Sequence, residues 1–304
     1  MPSADTVDTR PDADASGDGD EVVTPWLPAG RPVDVGDLGT VEVREFGKAD
    51  GPVVFLLHGW TATADLNWFR CYEPLSERYR VVAFDHRGHG TGLRTRKRFR
   101  LEDCADDVVS VADALGVDRF TPVGYSMGGP IAQLTWRRHP DRVTGLVLCA
   151  TAPIFTGRRA ERWSFLGLTG LAALARVTPE QAREWLTDQL YLNRKVGEWE
   201  PWAIREAASH DWRSVLEAGK AIGSFSSLDW IGDVDVPVSL VVTMRDRVVS
   251  QRRQTRLFEL IEDADVYRVD GDHDVVVAGA HHFVPTLQRA LVSVHERAGT
   301  VSRA

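Results

Sequence analysis

Phe120-Thr121-Pro122-Val123 runs directly into Gly124-Tyr125-Ser126-Met127-Gly128-Gly129, and the reading of these residues decides the fold. The first four form a short apolar run of the kind that suits a strand covered on both faces. Met127 to His139 then carries a helical pattern. A serine held between the two must stand on a sharp strand-to-helix turn, with its hydroxyl clear of the backbone. Glycine two positions before it and two after fits that geometry, because larger side chains would collide in the turn. The start of a helix also supplies free backbone N–H groups and positive dipole character, where negative charge would develop on a substrate oxygen. Ser126 is thus a candidate nucleophile. A glycine-rich turn with an incidental serine is the competing reading, and the flanking strand and helix argue against it.

Outward from this stretch the same rhythm recurs. Short apolar runs at Val53 to Leu57, Val81 to Phe84, Val143 to Cys149 and Val238 to Thr243 read as buried strands. Helical patterns around Asp65 to Arg78, Leu101 to Leu115 and Gln251 to Ile261 separate them. The pattern from Pro32 to Phe46 is short and alternating, with a Gly36 to Gly39 interruption, as in a hairpin at a sheet edge. Buried strands alternating with helices predict an α/β fold, with a mostly parallel central sheet and helices on both faces. In such sheets the chemistry belongs at the carboxyl ends of the strands.

One segment breaks the rhythm. Residues 155–230 show helical stretches with Pro and Gly stops but no convincing strand, and they hold six of the ten tryptophans. They are expected to form a helical cap over the strand ends, with 25–154 and 231–304 as the core; a separate helical domain is the alternative. Residues 1–24 are expected to be a disordered acidic tail. The first 21 residues carry seven acids against Arg10 alone, which accounts for −6 of the net charge of −8 and leaves the body near neutral. A near-neutral body without a basic, aromatic surface argues against nucleic-acid binding. The tail lacks the basic start and apolar stretch of a signal peptide. No run approaches the roughly 18 apolar residues of a membrane span. Cys71, Cys104 and Cys149 have neither pairing nor metal-ligand spacing, so reduced thiols in a cytoplasmic setting are expected.

With its strand, elbow and helix in place, the chain resembles the α/β-hydrolase family over roughly residues 32 to 298. The resemblance implies further site residues. His58-Gly59-Trp60 is similar to the family's turn after the first parallel strand, which implies that the backbone N–H groups of Trp60 and Met127 form the oxyanion hole and that His58 is structural. Asp85-His86-Arg87-Gly88-His89-Gly90 is similar to a bracing loop that does not react. Family chain order implies an acid after a late strand, and Asp246 stands there; Asp235 precedes that strand and lies at its wrong end. His273, in Gly271-Asp272-His273-Asp274 after the probable strand Val266 to Val269, matches the family's base, ahead of His281 and His282. Asp272 and Asp274 depart from the commoner apolar neighbours; if either approaches the imidazole, it would favour the protonated form.

The resemblance implies a serine hydrolase that cleaves a carboxylic ester through an acyl-enzyme, without metal or cofactor. Trp163, Trp185 and Tyr125 are candidate substrate contacts. With Phe165, Leu166, Leu168, Leu171 and Leu174 they would suit a small-molecule ester with an apolar acyl or alkyl group. Cap packing is the bland alternative for most of the tryptophans. Arg94, Arg96, Lys97, Arg98 and Arg100 form a basic run that reads first as solvated surface, and second as an attractor for an anionic group. Three rivals use the same scaffold: a lyase or carbon–carbon hydrolase, a cofactor-free haloperoxidase-like activity, and a ligand-binding protein. Epoxide hydrolase and dehalogenase readings are disfavoured, because the elbow nucleophile in those enzymes is an aspartate. Oligomeric state is not encoded in any feature of the sequence.

Overall fold

The computed structural model describes residues 23–156 and 199–301. Eight strands form one sheet: β1 (Gly30–Asp34), β2 (Thr40–Gly47), β3 (Val53–Leu57), β4 (Arg80–Phe84), β5 (Thr121–Tyr125), β6 (Leu146–Cys149), β7 (Val238–Thr243) and β8 (Asp265–Val269). Their spatial order is β1-β2-β4-β3-β5-β6-β7-β8. The β1–β2 hairpin and its junction with β4 are antiparallel; every other pairing is parallel. β5, β6 and β7 are buried along their whole length, which is why each reads as a continuous apolar run rather than an alternating one. β2 alternates exposed and buried residues at its start, as an edge hairpin should.

Helices cover both faces. On one side pack α2 (Leu101–Ala114) and α3 (Gly128–Arg138), together with Leu257 of a later helix. On the other pack α1 (Ala64–Ser76) and the C-terminal helix Ala280–Val301, whose Phe283 and Leu287 are fully buried. The expected strand over Val143 to Cys149 begins only at Leu146. Pro140–Arg142 forms a 3-10 turn, and Val143 makes an isolated bridge to Phe120 instead of joining the ladder.

The chain leaves β3 for β4 on one side, then returns to lay β5 on the other. β3 is therefore the point where strand order reverses, and the crevice beyond the carboxyl ends of β3 and β5 is the natural place for a ligand. His58-Gly59 and Ser126 lie at those two ends.

Of the expected cap, residues 157–198 lie outside the described residues, and with them Trp163, Trp185 and the apolar residues from Phe165 to Leu174. The acidic tail to residue 22 also lies outside. The rest of the expected cap contains α4 (Glu200–Ala208) and α5 (Trp212–Ser224), and an isolated bridge joins Ile154 to Ser226. Helices α6 (Gln251–Leu260), α7 (Val275–Ala278) and α8 (Ala280–Val301) complete the order. All three cysteines are buried and unpaired. Among the described residues no helix is long and apolar enough to cross a membrane.

Candidate active site

Ser126 sits between β5 and α3 with φ at +52°, in the left-handed region that a non-glycine residue rarely occupies. Such a conformation costs on the order of 1–3 kcal/mol and persists only where the surroundings enforce it. Here the Ser126 N–H donates to the Cys149 carbonyl at 3.0 Å, and the Thr151 hydroxyl donates to the Ser126 carbonyl at 2.8 Å. The glycines are sterically required. A Cβ on Gly124 would strike the Gly128 carbonyl, and one on Gly128 would strike that of Leu57. The elbow is therefore packed against the end of β3, and only hydrogen fits at both positions.

Three sequence-distant side chains meet in a row. The Ser126 hydroxyl lies 2.9 Å from Nε2 of His273, and Nδ1 of His273 lies 2.8 Å from Oδ2 of Asp246. Each comes from a different strand end: β5, β8 and β7. With Nδ1–H directed at the carboxylate, Nε2 is left as an acceptor for the hydroxyl proton. Asp246 is buried and well supplied with donors. Its Oδ1 accepts from the Val248 and Val249 N–H groups at 2.9 and 2.7 Å, and its Oδ2 accepts from the Thr243 hydroxyl at 2.7 Å. Burial pushes this carboxyl up, but the hydrogen bonds and charge of His273, with those of Thr243 and Val249, outweigh it and hold the group below the usual carboxylate range.

His281 and His282 lie in the first turn of α8 and take no part in this row. Asp272 turns its Oδ1 to the backbone N–H groups of His273 and Arg247, at 2.8 and 2.9 Å, and pairs with the Arg247 side chain. No hydrogen bond or ion pair joins Asp272 or Asp274 to the imidazole ring among the described residues. Asp235 instead accepts from the Trp136 indole at 2.9 Å, far from the row along the sheet.

The loop after β3 faces the elbow. A Cβ on Gly59 would lie 3.4 Å from that of Ser126, and the Gly59 N–H is fixed by Asn67 at 2.9 Å. Among the described residues no protein group accepts from the backbone N–H of Trp60 or of Met127. Two unused donors beside a serine are what an oxyanion would need. His58 is structural: Nδ1 lies 2.8 Å from the Gly59 carbonyl, while Nε2 accepts from the His86 N–H at 2.9 Å. Burial, with His86 nearby, keeps it neutral.

The Asp85 loop braces rather than reacts. Asp85 accepts from the N–H groups of Ala64 and Thr91 at 2.7 and 2.8 Å, and burial lifts its carboxyl to about 6. Arg87 reaches into the core to make a two-pronged ion pair with buried Asp107. Arg94 donates to the carbonyls of Gly90, Gly92 and Ser209 and is thereby a structural clamp. Arg96, Lys97 and Arg98 are exposed.

Residues 206–215 are tied to these loops directly. The Trp60 indole donates to the Val215 carbonyl at 2.6 Å, the Thr63 hydroxyl to Glu206 at 2.9 Å, the Gly90 N–H to His210 Nδ1 at 2.9 Å, and the Asp211 N–H to the Gly88 carbonyl at 2.9 Å. Sequence reasoning missed Thr243, Gln254, Glu206 and Val215, since none belongs to a local pattern. Tyr125 is only 2% exposed, stacks edge-on with Trp68 and Phe283, and donates its hydroxyl to the His273 carbonyl at 2.8 Å. It supports the loop that carries the imidazole from beneath, which leaves little of it to meet a substrate. The described tryptophans of the expected cap are also engaged in packing. Trp199 and Trp202 lie against Phe69, Trp212 against His210, and Trp230 against Trp136.

A family model described as alpha/beta hydrolase fold matches residues 52–279. A bifunctional esterase/perhydrolase of Acinetobacter calcoaceticus is 37% identical over 112 residues, which is 36% of this chain and 40% of that enzyme. Among solved structures, an esterase from Exiguobacterium antarcticum superposes with a TM-score of 0.73 at 20% identity, covering 86% of this chain and 98% of its own. A bromoperoxidase from Bacillus anthracis gives 0.73 at 18%, covering 86% and 99%. At these identities the two structures speak for the fold alone.

Proposed function

This chain belongs to the alpha/beta hydrolase fold family, and from that premise we propose that it is a serine hydrolase cleaving a carboxylic ester through an acyl-enzyme. The hydrogen-bonded row from Ser126 through His273 to Asp246 carries the reading. His273 Nε2 takes the Ser126 proton as Oγ attacks the ester carbonyl carbon. Asp246 holds the ring with Nδ1–H inward and balances the imidazolium. The Trp60 and Met127 N–H groups receive the oxyanion, each such donor contributing roughly 3 kcal/mol to the transition state. The imidazolium then returns its proton to the departing alkoxide, and the acyl group stays on Ser126. Water attacks the acyl carbon, gives its proton to His273, and the tetrahedral intermediate collapses to acid and free serine. One water is consumed, and one acid and one alcohol leave; the steps use no metal or organic cofactor.

Residues 155–230 serve in this reading as a cap, and the ties from Trp60, Thr63, Gly88 and Gly90 to 206–215 support it. The proposed substrate is a small ester with an apolar acyl or alkyl part, and Trp163 and Trp185 are the cap residues proposed to meet it. Likeness to the Acinetobacter esterase/perhydrolase favours an ester over the lyase and binding readings.

A fluorophosphonate probe, followed by rates on p-nitrophenyl esters of graded chain length, tests the proposal. The expected result is labelling that disappears in Ser126→Ala, with ester turnover in the unsubstituted protein. Labelling that survives the substitution would refute Ser126 as nucleophile. Labelling without ester turnover would favour a lyase or carbon–carbon hydrolase.

A further inference from the structure

Helix α6 is polar nearly throughout, and Gln254 and Leu257 are its only buried residues. Gln254 is 2% exposed, so its amide must find its hydrogen bonds inside the protein. Its Oε1 accepts from the Thr243 N–H at 3.0 Å, which fixes which way the amide faces. Its Nε2 then gives its two protons to the nearest acceptors, the Thr243 hydroxyl oxygen and the Val249 carbonyl, both at 2.6 Å, with Asp246 Oδ2 at a longer 3.1 Å.

The consequence lies in proton counting. Thr243 has one hydroxyl proton, and its oxygen already accepts from Gln254. That proton is left to point at Asp246 Oδ2, 2.7 Å away. Val249, whose carbonyl Gln254 also holds, gives its N–H to Asp246 Oδ1. Gln254 therefore orients donors to both oxygens of the carboxylate without belonging to the Ser–His–Asp row. We propose that Gln254 is a positioning residue that, through Thr243 and Val249, sets how strongly Asp246 draws on the His273 imidazole. The proposal rests on the serine-hydrolase reading for its effect on rate, but not for its effect on titration.

Two substitutions separate the effects. Gln254→Leu removes the amide at similar size. Gln254→Glu keeps the shape, but once ionised it offers only acceptors, turns the Thr243 proton away from Asp246 and adds a like charge. Each leaves Asp246 with less support and a stronger pull on the imidazole proton, so the imidazole should titrate at higher pH. Among the described residues the other charged or titratable groups about the His273 loop are Asp272, Asp274, Arg247 and Tyr125, and both variants leave them unchanged.

The experiment is titration of the His273 ring by NMR of the full chain without substrate, alongside the pH dependence of fluorophosphonate labelling. The imidazole midpoint should rise by roughly half a pH unit in Gln254→Leu and by more in Gln254→Glu, since a lost hydrogen bond and an added like charge act in the same direction. The acid limb of the labelling profile should move with it. A labelling rate that falls while the midpoint stays within about 0.1 unit of the parent would reduce Gln254 to a structural part and overturn the proposal. If Gln254→Leu does not fold, the near-isosteric Gln254→Glu decides alone. Shifted titration with no ester hydrolysis in the parent would sink the ester reading and leave the role of Gln254 standing.

Discussion

Glu206 gives a quantitative test of how α4 is held to the loops of the core. It lies on α4, more than half buried, and accepts from the Thr63 hydroxyl three residues beyond Trp60. Burial lifts its carboxyl from the ordinary 4.5 to about 7; Asp65 and Asp85 add to the rise, while the Thr63 hydrogen bond and Arg44 oppose it. In the unfolded chain the group titrates normally. Between those two values the folded protein holds a proton that the unfolded chain has released, so this contribution to stability is full at low pH and lost as pH rises through about 7. At about 1.4 kcal/mol per unit the gap amounts to roughly 3 kcal/mol at most, and solvent screening of a partly exposed carboxyl brings it to about 1–2 kcal/mol. A glutamine side chain in place of the acid would stay neutral at every pH and still accept from Thr63. Thermal melts of the Glu206→Gln variant and parent, followed by circular dichroism at pH 4, 7 and 8.5, should coincide at pH 4. At pH 8.5 the variant should melt higher by about 2–4 °C. Melting curves that stay parallel across the range, or a variant less stable at pH 8.5, would refute the reasoning.

Two further outcomes follow from the loops below the site. Arg87→Leu strands Asp107 as a buried charge and should cost about 3–5 kcal/mol in urea denaturation, while Arg87→Leu with Asp107→Leu should recover most of the loss; a double variant as unstable as the single one would mean that the pair is not what matters. Reversing the charge of exposed Arg96 and Arg98 should raise KM for anionic esters and leave neutral esters unchanged, if the run attracts an anionic group; an equal effect on both would return it to plain surface.

The parts legible in the sequence were those with a local cause. Gly124 and Gly128 stand where a side chain would hit a carbonyl, so the elbow announces itself over six residues. β5, β6 and β7 are covered on both faces, so each strand is a mostly apolar run without alternation. Asp246 and His273 could be proposed because each follows a strand, at the places where the resemblance to the family implies an acid and a base. What escaped notice depends on contacts between polar residues far apart in the chain. Nothing near Glu206 points to Thr63, 143 positions earlier. Gln254 looks like one more polar residue on a polar helix, and its burial appears only once α6 lies across β7. Tyr125 misleads for a related reason. It neighbours the nucleophile in sequence, but along a strand successive side chains take opposite faces, and its ring joins Trp68 and Phe283 on the α1 and α8 side. The tryptophans of 199–230 follow the packing alternative: Trp199 and Trp202 lie against Phe69, Trp212 against His210 and Trp230 against Trp136.

The bonds from Trp60, Thr63, Gly88, Gly90 and Arg94 to residues 206–215 seat α4 and α5 directly on the loops of the core. Any shift of these two helices must therefore break the bond between the Trp60 indole and the Val215 carbonyl and disturb the turn beside Ser126, so that the position of α5 and the shape of the site are mechanically one.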